Sequence, residues 1–109
     1  MYQKGDIVLI PFPFTDLSGS KVRPAVVLVS HKKSVDIIVA FITSHTKKIT
    51  QAMIQIEPTM QNGLKVPSAI VCDKLATLDT KVVIGKIGVC HKNDIGAVHS
   101  ELLKMFALK

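Results

Sequence analysis

The sequence predicts a mainly β domain of the α+β class: a small, strongly bent β-sheet or barrel with one C-terminal helix. Three observations carry that expectation. Short runs rich in Val and Ile recur along most of the chain, and residues of the turn-forming kind separate them. From Asn93 onward the apolar spacing changes from the strand period to the helical one. The 109 residues suffice for one domain, spanning 1–109, with a modest core that needs neither metal nor disulfides.

The elements follow in order. Residues 5–14 and 23–30 form two β-branched apolar runs around a polar loop that contains Gly19 and ends in the chain's only arginine, Arg23. Arg23 precedes Pro24, which pushes its backbone toward the extended form. Residues 36–42 make a third strand, apolar on both faces and therefore central. It runs into a hydroxyl-rich, basic stretch at 43–50. Residues 52–56 give a fourth strand, and the loop at 57–65 closes on the Asn62-Gly63 turn. A fifth strand spans 68–72 and leads into 73–79. Residues 82–84, closed by Gly85, add a short sixth, and Gly88 ends the β-rich part. Ile95, Val98, Leu102, Met105 and Phe106 then recur at helical spacing through Leu108, with Asn93 as N-cap and Asp94 in the first turn. The sequence leaves the strand order open.

The net charge is +6 and the pI about 9.5, which favours a polyanionic partner, either nucleic acid or an acidic protein. Thirteen lysines against one arginine argue against a reader of base edges, a task for which arginine is the commonest contact. Cys72 and Cys90 are too few for a disulfide framework and read as buried free thiols; no Cys/His spacing resembles a zinc site, so neither metal nor cofactor is expected. No apolar run is long enough to span a bilayer, and the first residues lack the apolar core of a signal peptide. No membrane partner and a cytoplasmic location are expected.

Loops on a rigid scaffold carry binding groups, and a guanidinium projected beside the first loop has the fork that suits a phosphate. The plain alternative is a surface arginine at the start of a strand. Thr43 and Ser44 can hydrogen-bond a nonbridging phosphate oxygen, although hydroxyls after a strand also serve as turn caps. His45, two residues after Thr43, offers an imidazole as an acid–base group; a solvent-exposed role is its alternative. Metal-free cleavage of a phosphodiester by a neighbouring hydroxyl needs a base for that hydroxyl, neutralisation of the phosphorane and a proton for the leaving oxygen. Arg23 can neutralise charge but is a poor proton donor.

Gly5-Asp6-Ile7-Val8, Phe12-Pro13-Phe14-Thr15-Asp16 and Lys21-Val22-Arg23-Pro24-Ala25-Val26-Val27 resemble the N-terminal signature of MazF/PemK-like toxins, bacterial toxin–antitoxin proteins that cleave RNA. The resemblance runs the length of the chain. Arg23-Pro24 and Ile42-Thr43-Ser44 match the family's two active-site segments in order. Residues 68–79 resemble a third, in which Asp73 stands where some members place a catalytic aspartate. Val71 stands where those members have an arginine two residues before the aspartate, and Ala76 where many have one before the threonine.

The resemblance implies a small SH3-like, partly open β-barrel with a C-terminal α-helix. It also implies a homodimer with a shared RNA groove, a small acidic antitoxin whose tail occupies that groove, and cleavage of single-stranded RNA to 2′,3′-cyclic phosphate and 5′-hydroxyl ends. The expected catalytic residues are Arg23, Thr43 and Asp73. The expected RNA-binding residues are Ser20, Lys21, Ser44, His45, Lys47 and Lys74. Asp73 has the motif match as proton carrier, His45 the better intrinsic pKa, and the narrow preference goes to Asp73. A non-catalytic RNA- or protein-binding module of the same fold is the alternative, favoured by the two missing arginines.

Overall fold

The computed structural model describes residues 1–12 and 21–108, with the backbone alone at Phe12. The first loop and the candidate Ser20 lie outside the described residues. Six strands are described: β1 (Asp6–Phe12), β2 (Lys21–Ser30), β3 (Asp36–Thr43), β4 (Met53–Ile56), β5 (Ser68–Asp79) and β6 (Gly85–Val89). A single 3-10 turn, Thr80–Val82, joins β5 to β6, and one helix, α1 (Lys92–Met105), follows. The strands form one antiparallel sheet in the order β4-β5-β3-β2-β1-β6.

Alternation along the strands divides the core between two faces. Ile7, Val26, Ala40, Ile42 and Ile70 point to one, and α1 covers it with the fully buried Val98 and the partly buried Ile95, Leu102 and Met105. Val8, Ile10, Ala25, Val27, Val39 and Phe41 point to the other. β3 is buried on both faces and lies inside the sheet, as its unbroken apolar run requires. Register shifts at Ile7/Val8, Val27/Val29 and Ala40/Phe41 bend the strands and curl the sheet into a half-barrel.

Several boundaries differ from the sequence expectation. β5 continues to Asp79 instead of ending at Cys72. Ala40 faces Leu75 while Phe41 faces Val71, so Cys72, Asp73 and Lys74 bulge out against a single step of β3. That bulge breaks the alternation by which a strand is recognised. The last strand begins at Gly85, where the sixth was expected to close, and Val82 belongs to the 3-10 turn. Gly88 lies within β6 and is glycine because of close approach: a Cβ there would stand 2.4 Å from the Asn62 carbonyl carbon. The helix is capped by His91, whose Nδ1 accepts a hydrogen bond from Asn93 N at 3.0 Å, so Asn93 is inside the helix. The helix stops at Met105, short of Leu108, with Ala107 in the left-handed region at φ 55°.

The loop between β4 and β5 is tied down by Asn62, which is buried. Its Oδ1 accepts from Thr59 N (2.9 Å) and Leu64 N (3.0 Å), and its Nδ2 donates to Glu57 O (2.9 Å). Gly63 takes φ 72°, and the Gln61 carbonyl accepts from Val89 N at 2.8 Å, so the loop lies against β6. Asp6, also buried, accepts from Gln3 N at 2.9 Å and pairs with Lys86 Nζ at 3.2 Å.

Candidate active site

The site forms where β2 and β3 leave their pairing. Ala25 faces Phe41 across the two strands. Two residues beyond that pair stand Arg23 on β2 and Thr43 on β3, and both line one open hollow of about 380 Å³. His45 and Lys74 complete its polar rim, and Phe41, Ile42, Met53 and Val71 make its apolar wall. A second hollow of about 260 Å³ shares Arg23 and Ile42 as a common wall and carries Ser44, Lys65 and Ser68. No carboxylate lines either hollow among the described residues. Among the described residues, the charged side chains of lysine and arginine at the two hollows are Arg23, Lys74 and Lys65, a set that attracts anions.

Local chemistry fixes each group. The extended backbone expected before Pro24 is found, with Arg23 half-buried inside β2 and opposite Ile10 of β1. Thr43 is the last residue of β3, opposite Ala69, and its Oγ1 accepts from His45 N at 3.1 Å. That is the turn chemistry open to a hydroxyl after a strand, and it also holds His45 at the hollow's edge. Because Oγ1 accepts there, its own proton remains to be donated to a ligand oxygen.

The structure brings Arg23, Thr43, His45 and Lys74 together in one hollow, with Ser44 in the adjoining one. Lys21 is exposed at the start of β2, two residues from Arg23, and alternation puts it on the same side of the strand. Lys47 is exposed in the loop after Ser44 and lines neither hollow. Asp73 is exposed on the β5 bulge next to Lys74, and it too lines neither hollow. Sequence reasoning missed Phe41, Met53 and Val71, which read as strand core, and Lys65, which the packing of its loop on β6 delivers. No local pattern marks any of the four.

Cys72 and Cys90 are free and buried. Burial, with smaller contributions from Glu101 and Asp73, pushes the Cys72 thiol up to about 11. Burial and then Asp94 push Cys90 up to about 11. Both stay protonated and serve the core, not nucleophilic chemistry. Among the described residues, no three His, Cys, Asp or Glu side chains gather into a group that could hold a metal ion, and no helix is long and apolar enough to cross a membrane.

The described residues thus form a curled antiparallel sheet with one covering helix, at whose end Arg23 stands between two adjoining hollows. Residues 3–106 match the family of PemK-like, MazF-like toxins of type II toxin–antitoxin systems, and the chain belongs to that family. Its fold is similar to that of the toxin MazF-mt6 of Mycobacterium tuberculosis (21% identity, TM-score 0.77, covering 95% of this chain and 98% of that one). It is also similar to a mycobacterial endoribonuclease in complex with its cognate antitoxin (15%, 0.76, 100% and 98%). A MazE-MazF complex from Deinococcus radiodurans is a third such structure (18%, 0.77, 97% and 96%). At these identities the likeness is one of fold. No curated protein sequence matches the chain.

Proposed function

We propose that this toxin is an endoribonuclease that cleaves single-stranded RNA in the Arg23–Thr43 hollow without a metal ion. The observation that carries the reading is the joint placement of Arg23, Thr43, His45 and Lys74 around one hollow that no carboxylate lines among the described residues. The 2′-oxygen attacks phosphorus as a base takes its proton. The phosphorane forms, the bond to the 5′-oxygen breaks, and that oxygen takes up a proton. The products are a 2′,3′-cyclic phosphate and a 5′-hydroxyl. Arg23 neutralises the charge on the nonbridging oxygens, and Thr43 donates one neutral hydrogen bond to them. His45 lines the hollow and Asp73 does not, which favours His45 as the group that moves the proton.

Lys21, Lys74 and Lys65, with Lys47 further out, supply contacts along the strand; the expected contact at Ser20 lies outside the described residues. The same basic groove suits the acidic tail of an antitoxin, since charge complementarity steers association. The working form is a homodimer, as the family resemblance implies.

A second reading, a binding module without catalysis, is favoured by Val71 and Ala76, which stand where the family resemblance places an arginine in some members and in many, respectively; Val71 is buried. Incubating the purified protein with a single-stranded RNA in excess chelator separates the two. Cyclic-phosphate and 5′-hydroxyl ends support the enzyme. Intact RNA that is nevertheless bound supports the module, and cleavage that requires added Mg²⁺ overturns the proposed mechanism.

A further inference from the structure

The apolar wall of the Arg23 hollow is more extensive than phosphate chemistry needs. In the β3–β5 register Phe41 faces Val71, and in the β4–β5 register Val71 faces Met53. Residues directly opposite across antiparallel strands share a face. Phe41, Val71 and Met53 therefore form one apolar row across three adjacent strands, and all three line the hollow. Phe41 and Val71 are buried, while Met53 stands half-exposed on the edge strand β4.

A phosphate in contact with such a row would lose hydration and gain nothing. A nucleobase has the opposite requirement: a planar ring stacks on aromatic and thioether side chains, and its own phosphate can remain at the cationic rim. We propose that this row is a nucleobase pocket that grips one base beside the scissile phosphate, with Met53 and Val71 setting which base is accepted. The proposal rests on the reading of the hollow as a ribonuclease centre.

The row holds no hydrogen-bond donor to read a base edge, so selection is by ring size and stacking. Two-ring purines gain the larger contact and are preferred over pyrimidines, with little distinction between the two purines. Val71 matters because it keeps the row unbroken; a cation at that position would convert its middle into a second phosphate contact.

The test uses an oligonucleotide with one cleavable ribose in an otherwise deoxy strand, and two further strands in which the base on one or the other side of the cleaved bond is missing. Loss of one of the two bases, and only one, is expected to raise KM by roughly ten- to a hundredfold, with kcat within a few-fold. Met53→Ala, on a half-exposed edge position, is expected to bring the intact and abasic strands to the same KM while its thermal melting matches wild type.

The same comparison, read as binding of an uncleavable all-deoxy strand, needs no turnover. If the wild-type protein cleaves nothing but still shows the one-sided abasic loss in binding, the ribonuclease reading fails and the base pocket stands. If neither missing base weakens binding, or if Met53→Ala leaves the abasic penalty unchanged, the pocket is refuted.

Discussion

The two proposed proton carriers, His45 and Asp73, stand in different places. His45 lines the hollow, held by the bond from its backbone N to Thr43 Oγ1, whereas Asp73 projects from the β5 bulge. With His45 as the carrier, the imidazole limb of the pH–rate profile should vanish in His45→Ala and survive in Asp73→Asn. A limb that survives His45→Ala and is lost in Asp73→Asn would return the role to the aspartate that the motif match favours. The buried thiols give a second pH effect, on stability. Each is raised from 9.0 to about 11, so the folded state binds more protons than the unfolded chain between those values. Stability is intact below about pH 9 and falls as pH rises toward about 11. Urea melts across that window should show a shallower decline in the Cys72→Ala, Cys90→Ala double variant; an unchanged slope would assign the alkaline loss to other groups.

Among the elements, the loop between β4 and β5 does the most to shape the groove, because it carries Lys65 to the second hollow. Asn62→Ala would strip partners from Thr59 N, Leu64 N and Glu57 O and should cost about 2 kcal/mol or more. Gly88→Ala would set a Cβ 2.4 Å from Asn62 backbone and should cost at least as much, since backbone on both sides must part. Thermal melting checks both; a Gly88→Ala protein as stable as wild type would mean that the loop is not clamped to β6. The Asn62-Gly63 turn itself was legible, because that dipeptide favours a positive φ. Its docking on β6 was not, since the partner of Gly88 lies far away in sequence. The β5 bulge escaped for a related reason: strand recognition counts alternation, and Cys72, Asp73 and Lys74 suspend it before Leu75 resumes. His91 as a cap was equally hidden, because imidazole is not among the side chains that usually cap helices.

For the molecule as a whole, the fold class, the central third strand and the covering helix followed from periodicity, which reports burial directly. Arg23 and Thr43 were singled out by the motif resemblance, since a strand-opening arginine and a turn hydroxyl are ordinary on their own, and His45 by its imidazole; the apolar row was not legible, because Phe41, Val71 and Met53 become neighbours only once the register is set. Of the fourteen lysine and arginine side chains, Arg23, Lys74 and Lys65 line the two hollows. RNA affinity should therefore fall with a log–log salt slope of about −2 or steeper, as three neutralised phosphates on a single strand require. A flat response would make the lysines ordinary surface charge. Sedimentation should show twice the mass of one chain; a monomer at working concentration would contradict the shared groove.

The central claim, that this chain cleaves RNA through charge stabilisation at Arg23, is tested most directly by the cleavage rate of Arg23→Ala on a single-stranded RNA, beside its circular dichroism and melting curve. The account predicts a loss of about 10²–10³ in rate, by analogy with removal of one oxyanion-hole donor, and a smaller loss for Thr43→Ala, with both variants folded as wild type. A folded Arg23→Ala protein that cleaves at the wild-type rate, or one that fails to fold at all, would contradict it.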